Sequence, residues 1–457
     1  MSTRMAAGFV ASLDVDSIPE KVVQHAKLCV MDTLGVMLGG IDSKAARVAR
    51  EVVSLWPNEN GVTIFGTSNK ASPFQAAFAN CVASSALDMD DGHNLGGHPG
   101  GVIVPAVLAA SEAANANGKE FLEGVIAGYE IAVRAMETMV AQESGSTGPF
   151  PATGQPYHST GTGATYGAAA GTAKVLNLDV EQIGQAINIA SAHTPSTRPY
   201  QIQTLGHTTK ECLGWAGIAG VQAAYLAKQG FTGPNSFFDD DIAQGTSADT
   251  IGYKFEILNN YFKAYPSCRY THATLDGVMD IMNTNSLKGS DISQITVSLK
   301  KHHAALNNKN PISIEQAQYS FPFVLGAVLS YGHHGVDTMN DSLLGDSKIL
   351  TEAEKVHLQA DDNLNEYRWP GRVCIETVDG RLFEKLVPIP KGDPQNPLSE
   401  EELNNKFNVI VSALLGKAYA DKLKKMIDNL EDLENINELS LLLNRVIHTD
   451  KEPLKQR

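Results

Sequence analysis

No apolar run in this chain reaches the roughly 18 residues that a membrane-spanning helix needs, and its first fifteen residues have no basic end leading into a continuous apolar stretch. Neither a spanning segment nor a secretory leader is expected. The expected compartment is the cytosol, or an organelle matrix if a leader is missing from the sequence. Cysteine is scarce. The five residues Cys29, Cys81, Cys212, Cys268 and Cys374 are odd in number, widely spaced and form no CxxC pair, which argues for reduced thiols and against a disulfide framework or a structural zinc. Basic runs are missing as well. Lysine and arginine total 36 against 51 acidic residues, a formal charge of −15, so the chain lacks the electrostatic footprint of a nucleic-acid binder. An anionic partner would have to be met by a few locally placed cations. No internal repeat or low-complexity tract stands out.

With 457 residues, the chain exceeds what one hydrophobic core usually serves. From about residue 17 to 260, alanine and glycine dominate segments of helical periodicity. In SPFQAAFANCVASSALD, Phe74, Phe78, Cys81 and Ser85 recur at helical spacing and share one face. GATYGAAAGTAKVLNLD and ECLGWAGIAGVQAAYLAKQG carry small residues wherever they are not apolar, which suits buried helices whose axes approach closely.

After about residue 265 the pattern changes. QITVSL alternates, with Ile295, Val297 and Leu299 on one face of a strand, and Asp379-Gly380 between two strand-like runs is a hairpin signal. Beyond the linker PIPKGDPQNP, Ser399 and Glu402 have capping-box spacing, so a helix starts there and the C-terminal part returns to helix. The pattern predicts a mainly α protein: a large all-helical domain built from residues 1–265 and 396–457, with a smaller α+β lid domain inserted at 266–395. The cleft between them is the expected ligand site.

The densest polar cluster lies in ALDMDDGHNLGGHPGGVIVPAVLAA, residues 86–110, where three aspartates and two histidines fall within eleven positions. Asp88 closes one predicted helix and Pro105 sits early in the next, so the segment between is a helix-to-helix loop whose following N-terminus is a ready seat for a carboxylate. An EF-hand calcium loop is excluded, because Gly92 stands at the third ligand position and no glutamate stands at the twelfth. A metal site built from His93, His98 and an aspartate matches no familiar ligand spacing, and a capping turn needs one aspartate rather than three. Metal site, turn and proton-transfer site all remain open here. Further along, His158 precedes a Thr/Gly run in GQPYHSTGTGATYG. Lys210 in GHTTKECLGWAG is placed at a helix start with Thr208 or Thr209 as cap, where a lysine opposes the helix dipole unless an anion sits nearby. In YFKAYPSCRYTHATLDG, Lys263, Arg269 and His272 cluster with Cys268 at the domain junction, a placement that suits a ligand with several carboxylates.

In this order, AAFANCVASSALDMDDGHNLGGHPGGVIVPAVLA, YHSTGTGATYGAAA, TTKECLGWAGIAGVQAAYLAKQGFTGP, KAYPSCRYTHATLDG and QYSFPFVLGAVL resemble the MmgE/PrpD family over nearly the whole chain. That family includes 2-methylcitrate dehydratase, cis-aconitate decarboxylase and iminodisuccinate epimerase. The resemblance implies a helical domain with an α+β lid, a homodimer, and chemistry without cofactor or metal on a small di- or tricarboxylate. Matched position by position, the family's active-site residues fall on Asp88, His98, His158, Lys210 and Lys263. The reading of the residues adds Arg269, Cys268, Asp91 and His93 as substrate-binding candidates. Gly92 follows Asp91 where the dehydratase and decarboxylase branches carry threonine, and Cys268 stands where the decarboxylase branch has histidine, while the epimerase branch shares PSC.

Loss of a proton from carbon beside a carboxylate builds negative charge on that carboxylate, which fixed cations and N–H groups must already face. Lys210, Lys263, Arg269 and the helix N-terminus after Pro99 are the expected source of that field. His98 and His158 are the expected proton carriers, with Asp88 orienting or charging one of them. The expected activity is a lyase of the 2-methylcitrate dehydratase type. The alternatives are an epimerase of a dicarboxylate, a cis-aconitate decarboxylase-like enzyme, or a carboxylate-binding protein without catalysis.

Overall fold

The structure is a computed structural model that describes residues 2–144, 160–195, 205–239 and 250–444. Among the described residues, the helices of the first half are α1 (Thr3–Ser12), α2 (Glu20–Gly40), α3 (Lys44–Val53), α4 (Pro73–Ser85), α5 (Gly100–Ala114), α6 (Gly118–Ser144), α7 (Thr160–Val175), α8 (Val180–Ser191) and α9 (Leu213–Lys228). Small residues set their spacing. A Cβ on Gly167 would stand 2.4 Å from the carbonyl oxygen of Gly128, and one on Gly171 2.4 Å from that of Gly124, so α6 and α7 touch backbone to backbone. Helix α7 is buried over nearly its whole length, as its composition predicts.

On helix α4, Phe74 and Phe78 are only partly buried, whereas Cys81 and Ser85 of the same stripe are buried with Ala76, Ala77, Asn80 and Ala83, because only small side chains fit where α5 and α9 close on it. The expectation of an all-helical part is also corrected. Two short antiparallel pairs lie within it: β1 (Val62–Thr63) with β2 (Lys70–Ala71), and β3 (Gly92–His93) with β4 (Asn260–Tyr261). The second pair places the polar loop beside the segment that leads to Lys263.

Residues beyond 265 form α10 (Arg269–Thr284), β5 (Ile292–Leu299), α11 (Ile314–Gln318), α12 (Phe321–Tyr331), α13 (Ser347–Ala353), β6 (Val356–Ala360), β7 (Gly371–Thr377) and β8 (Leu382–Val387). The sheet order is β6-β5-β7-β8, with β5 and β6 parallel and the other pairs antiparallel. Ile295, Val297, Leu299, Val373 and Ile375 are buried with Leu275, Val278, Phe323 and Val324 in a core made entirely of residues 275–375. The hairpin turn sits at Asp379-Gly380, where Gly380 has φ of +87°. Then α14 (Glu400–Leu415), opened by the Ser399/Glu402 capping box, α15 (Lys417–Asp428) and α16 (Asn437–Leu443) add Phe407, Leu423 and Leu439 to the core of the first helices. The ring of Phe407 lies 2.8 Å from where a Cβ on Gly35 of α2 would stand. The fold is mainly α-helical with small sheets.

Candidate active site

Helix α4 ends at Ser85, and the chain turns back through Asp88, whose φ is +51°. A branched-off carboxylate residue rarely adopts this left-handed backbone, and it persists because its surroundings fix it. Lys263 Nζ donates to Asp88 Oδ1 and to the Asp88 carbonyl, both at 2.9 Å. Lys210 Nζ donates to the Ser85 carbonyl at 2.7 Å and stands 3.6 Å from the same Asp88 Oδ1. Burial pushes the Asp88 carboxyl up, but the attraction of Lys210, Lys263 and His98 outweighs it and holds the group well below its usual range. Lys263 moves the other way: Asp88 and Asp90 overcome its burial and raise it, so it stays an ammonium.

The second couple is Asp90 with His98. Asp90 Oδ2 lies 3.0 Å from His98 Nδ1, both side chains being buried. Burial raises Asp90, yet His98 and Lys263 bring it below its ordinary value despite Asp88. A carboxylate on Nδ1 holds the proton of the neutral ring there and leaves Nε2 as the nitrogen that can take up or give a proton, the arrangement of an oriented acid–base histidine. Among the described residues, Asp88 Oδ2 and Asp90 Oδ1 are buried without hydrogen-bond partners.

Asp88, Asp90 and His98 each offer a donor atom within 4.8 Å of the others, a set that a metal ion can use. The charge around them argues against such an ion. Two ammonium groups already lie against Asp88, and a divalent cation would have to displace or repel both.

The remaining expected residues take separate places. Asp91 bonds to groups of the chain itself: its Oδ1 accepts from the Gly100 amide at 2.9 Å, and its Oδ2 accepts from Tyr129 at 2.9 Å and Asn260 at 2.7 Å. The N-terminus of α5, expected to seat a substrate carboxylate, is thus capped by the chain's own carboxyl group. Burial, reinforced by Asp32 and Asp90, pushes Asp91 up to about 7. His93 Nδ1 accepts from the Leu95 and Gly96 amides at 3.1 Å and 3.0 Å, which closes the turn. Burial, with Arg368 and Arg134, lowers it to about 3, so it stays neutral. Cys268 caps α10 without a side-chain bond, and burial pushes its thiol up. Arg269 donates to the Lys391 carbonyl at 2.9 Å and stacks over Tyr261 at 4.4 Å. His272 is buried, its Nε2 3.1 Å from the Ser267 carbonyl, and burial followed by Arg269 and Lys263 lowers it well below its usual value. His158 lies outside the described residues.

Lys210 itself does not open a helix. It sits in a turn with φ of +43°, and α9 starts three residues later at Leu213, with Cys212 rather than Thr208 or Thr209 at the cap. The turn aims the ammonium away from the helix dipole and at Asp88. Pro105 likewise lies inside α5 rather than at its start, and the carbonyl it frees, that of Gly101, accepts from Ser84 Oγ at 2.5 Å.

Several supporting residues escape the sequence reading. Lys406 of α14 donates to the Met89 carbonyl at 2.7 Å, between Asp88 and Asp90, and pairs with Asp32 Oδ1 at 2.6 Å. Its signal is a lysine on the apolar stripe of Leu403, Phe407 and Ile410. Gln318 Nε2 donates to the Ala86 carbonyl at 2.8 Å, and the Tyr319 hydroxyl donates to Glu211 beside Lys210. Asp90 is the partner His98 needs, but three neighbouring aspartates give no local ground for choosing it over Asp88.

Family models match both halves of the chain, the MmgE/PrpD N-terminal domain over residues 4–251 and the MmgE/PrpD C-terminal domain over residues 265–432. The chain is similar to the cis-aconitate decarboxylase of Homo sapiens, 25% identical across 96% of this chain and 94% of the relative, and to that of Mus musculus, 25% identical across 96% and 93%. The cis-aconitate decarboxylase of Aspergillus terreus is 24% identical across 95% and 94%. No described helix is long and apolar enough to cross a membrane.

Proposed function

Because the chain belongs to the MmgE/PrpD family, we propose that it is a lyase that removes a proton from carbon beside a carboxylate of a small di- or tricarboxylate, in the manner of 2-methylcitrate dehydratase. The observation that carries this reading is the sharing of one Asp88 oxygen by Lys210 and Lys263, next to the Asp90–His98 couple. Two fixed ammonium groups thus stand over one carboxylate oxygen, where an incoming anion can meet both.

In the proposed reaction, His98 Nε2 takes the α proton, with Asp90 stabilising the imidazolium that forms. The electron pair of the broken C–H bond moves onto the substrate carboxylate, where Lys210 and Lys263 offset the added charge. Collapse of that intermediate forms the carbon–carbon double bond and expels the β-hydroxyl, which leaves as water once protonated. His158 is assigned as that proton donor through the family match alone. Residues 266–395 act in this reading as the lid over a site held by 1–265 and 396–457, since Lys263 leads directly into Cys268, Arg269 and α10. A homodimer in the cytosol completes the proposal.

The cis-aconitate decarboxylase relatives favour a second reading, in which the same cations hold the carboxylates while one is lost as carbon dioxide. Incubation with 2-methylcitrate, citrate and cis-aconitate separates the cases. An unsaturated acid formed from 2-methylcitrate supports the dehydratase, and carbon dioxide released from cis-aconitate supports the decarboxylase. Solvent deuterium incorporated into a dicarboxylate without net product points to an epimerase, and tight binding without turnover to a carboxylate-binding protein.

A further inference from the structure

Tyr261 is a largely buried residue whose hydroxyl has no hydrogen-bond partner among the described residues and keeps its oxygen in reach of solvent. The residue is 4% exposed, its backbone pairs with Gly92, and the Arg269 guanidinium lies 4.4 Å over its ring. Its ring atom Cζ and its hydroxyl oxygen each stand 2.3 Å from the point a Cβ on Gly92 would occupy, so the absent side chain at 92 is the space the phenol fills. No hydrogen bond joins that hydroxyl to any described residue.

Two arginines nearby are also underused. Arg368 is partly buried, yet its guanidinium has no ion pair or hydrogen bond among the described residues, and its Nε is shut off from solvent. Arg269 spends its terminal nitrogens on the Lys391 and Pro390 carbonyls and leaves its own Nε buried and unpaired. Arg368 is fixed to the polar loop through its neighbour. Its guanidinium lies 5.1 Å over the Trp369 ring, and Trp369 Nε1 donates to Asn94 Oδ1 at 2.8 Å, one residue after His93 of β3. Burial lowers Arg368, partly offset by Tyr261, Tyr270 and Asp393. Asp393, 3.6 Å from Arg269, counters one of the two charges and leaves a net positive notch.

We propose that Tyr261, Arg269 and Arg368 form a second anion subsite, which holds a substrate carboxylate remote from the carbon that loses its proton. The subsite rests on the function proposed above and narrows it to acids with at least two separated carboxylates. The Tyr261 hydroxyl donates to one carboxylate oxygen and the guanidinium N–H groups to the other, which gives the two buried, unpaired Nε groups a partner. Gly92 is the enabling residue, because any side chain there would expel the phenol.

Isothermal titration calorimetry tests this with tricarballylate, a tricarboxylate that has neither hydroxyl nor double bond to react. Y261F, R368Q and G92S are each expected to raise its dissociation constant at least about tenfold, the scale of one lost charge-assisted hydrogen bond. Y261F removes a single atom and R368Q shortens a partly buried side chain that holds no ion pair or hydrogen bond among the described residues, so both variants should keep the fold. Binding within twofold of the parent in both overturns the subsite, as does failure of the parent to bind tricarballylate. Should the parent turn over no polycarboxylate but still lose tricarballylate affinity in these variants, the lyase reading fails and the subsite stands.

Discussion

Lys210 and Lys263 share a single oxygen, Oδ1 of Asp88, at 3.6 Å and 2.9 Å, although 53 residues of chain separate them. Two buried ammonium groups this close repel each other, and the carboxylate between them makes the arrangement tolerable. Removing Asp88 therefore leaves two ammonium groups without the carboxylate between them, while removing one lysine leaves a substrate carboxylate a single cation to meet. Lys210→Ala and His98→Ala are each expected to lower turnover at least about a hundredfold, on the scale of a charge-stabilising or acid–base group. Steady-state kinetics on whichever polycarboxylate the parent converts reads this directly, and near-parental rates in both variants would refute the assignment.

The Asp90–His98 couple predicts a graded response. Asp90→Asn keeps the shape but withdraws the charge that supports an imidazolium. Turnover is expected to drop about tenfold to a thousandfold. Near-parental turnover in steady-state kinetics would show that His98 works without Asp90.

The ammonium groups around Asp88 predict indifference to metals. Turnover should survive dialysis against a chelator, and added zinc should fail to stimulate it. A requirement for any divalent ion would mean that Asp88, Asp90 and His98 act as ligands and that the lysines swing away.

Asp91 makes stability depend on pH in a defined direction. Folded, it keeps its proton up to about 7; unfolded, it loses it around its ordinary value of 3.8. In that window the folded chain binds more protons, so the contribution of Asp91 to stability falls as pH rises and levels off above about 7. Asp88 and Asp90, both depressed, act oppositely: their stabilisation is present above the ordinary carboxylate range and is lost as pH falls through it. Asp91→Asn should remove the first effect, worth at most about 4 kcal/mol. Urea unfolding at pH 5 and pH 7.5 measures it, and an unchanged difference between the two pH values would contradict the assignment.

Lys406 and Asp32 predict a double-mutant signature. Lys406→Met strands a buried carboxylate and should cost about 3–5 kcal/mol, whereas Lys406→Met with Asp32→Asn should recover much of that loss. Additive losses in urea unfolding would show that the two do not act as a pair.

Local rules made much of this legible. The Asp379-Gly380 hairpin, the Ser399/Glu402 box and the alternation of Ile295, Val297 and Leu299 depend on residues a few positions apart, and each stands where its pattern places it. The site is different. Asp88 and Lys210 were identifiable as chemistry-bearing residues, but their left-handed backbones follow from no rule for aspartate or lysine. Lys210 was therefore assigned to a helix that begins only at Leu213. The free-looking N-terminus of α5 was misjudged for a related reason: three aspartates compete for it in sequence, and only the approach of Tyr129 and Asn260 selects Asp91.

The Met89 carbonyl receives its ammonium from a residue 317 positions downstream. While the chain is being made, the turn bearing Asp88 and Asp90 emerges from the ribosome long before Lys406, with Asp32 still lacking its counter-charge. Completion of this turn thus waits for a late stage of translation, so a prematurely terminated chain would carry Asp88, Asp90 and His98 without the strut that sets them.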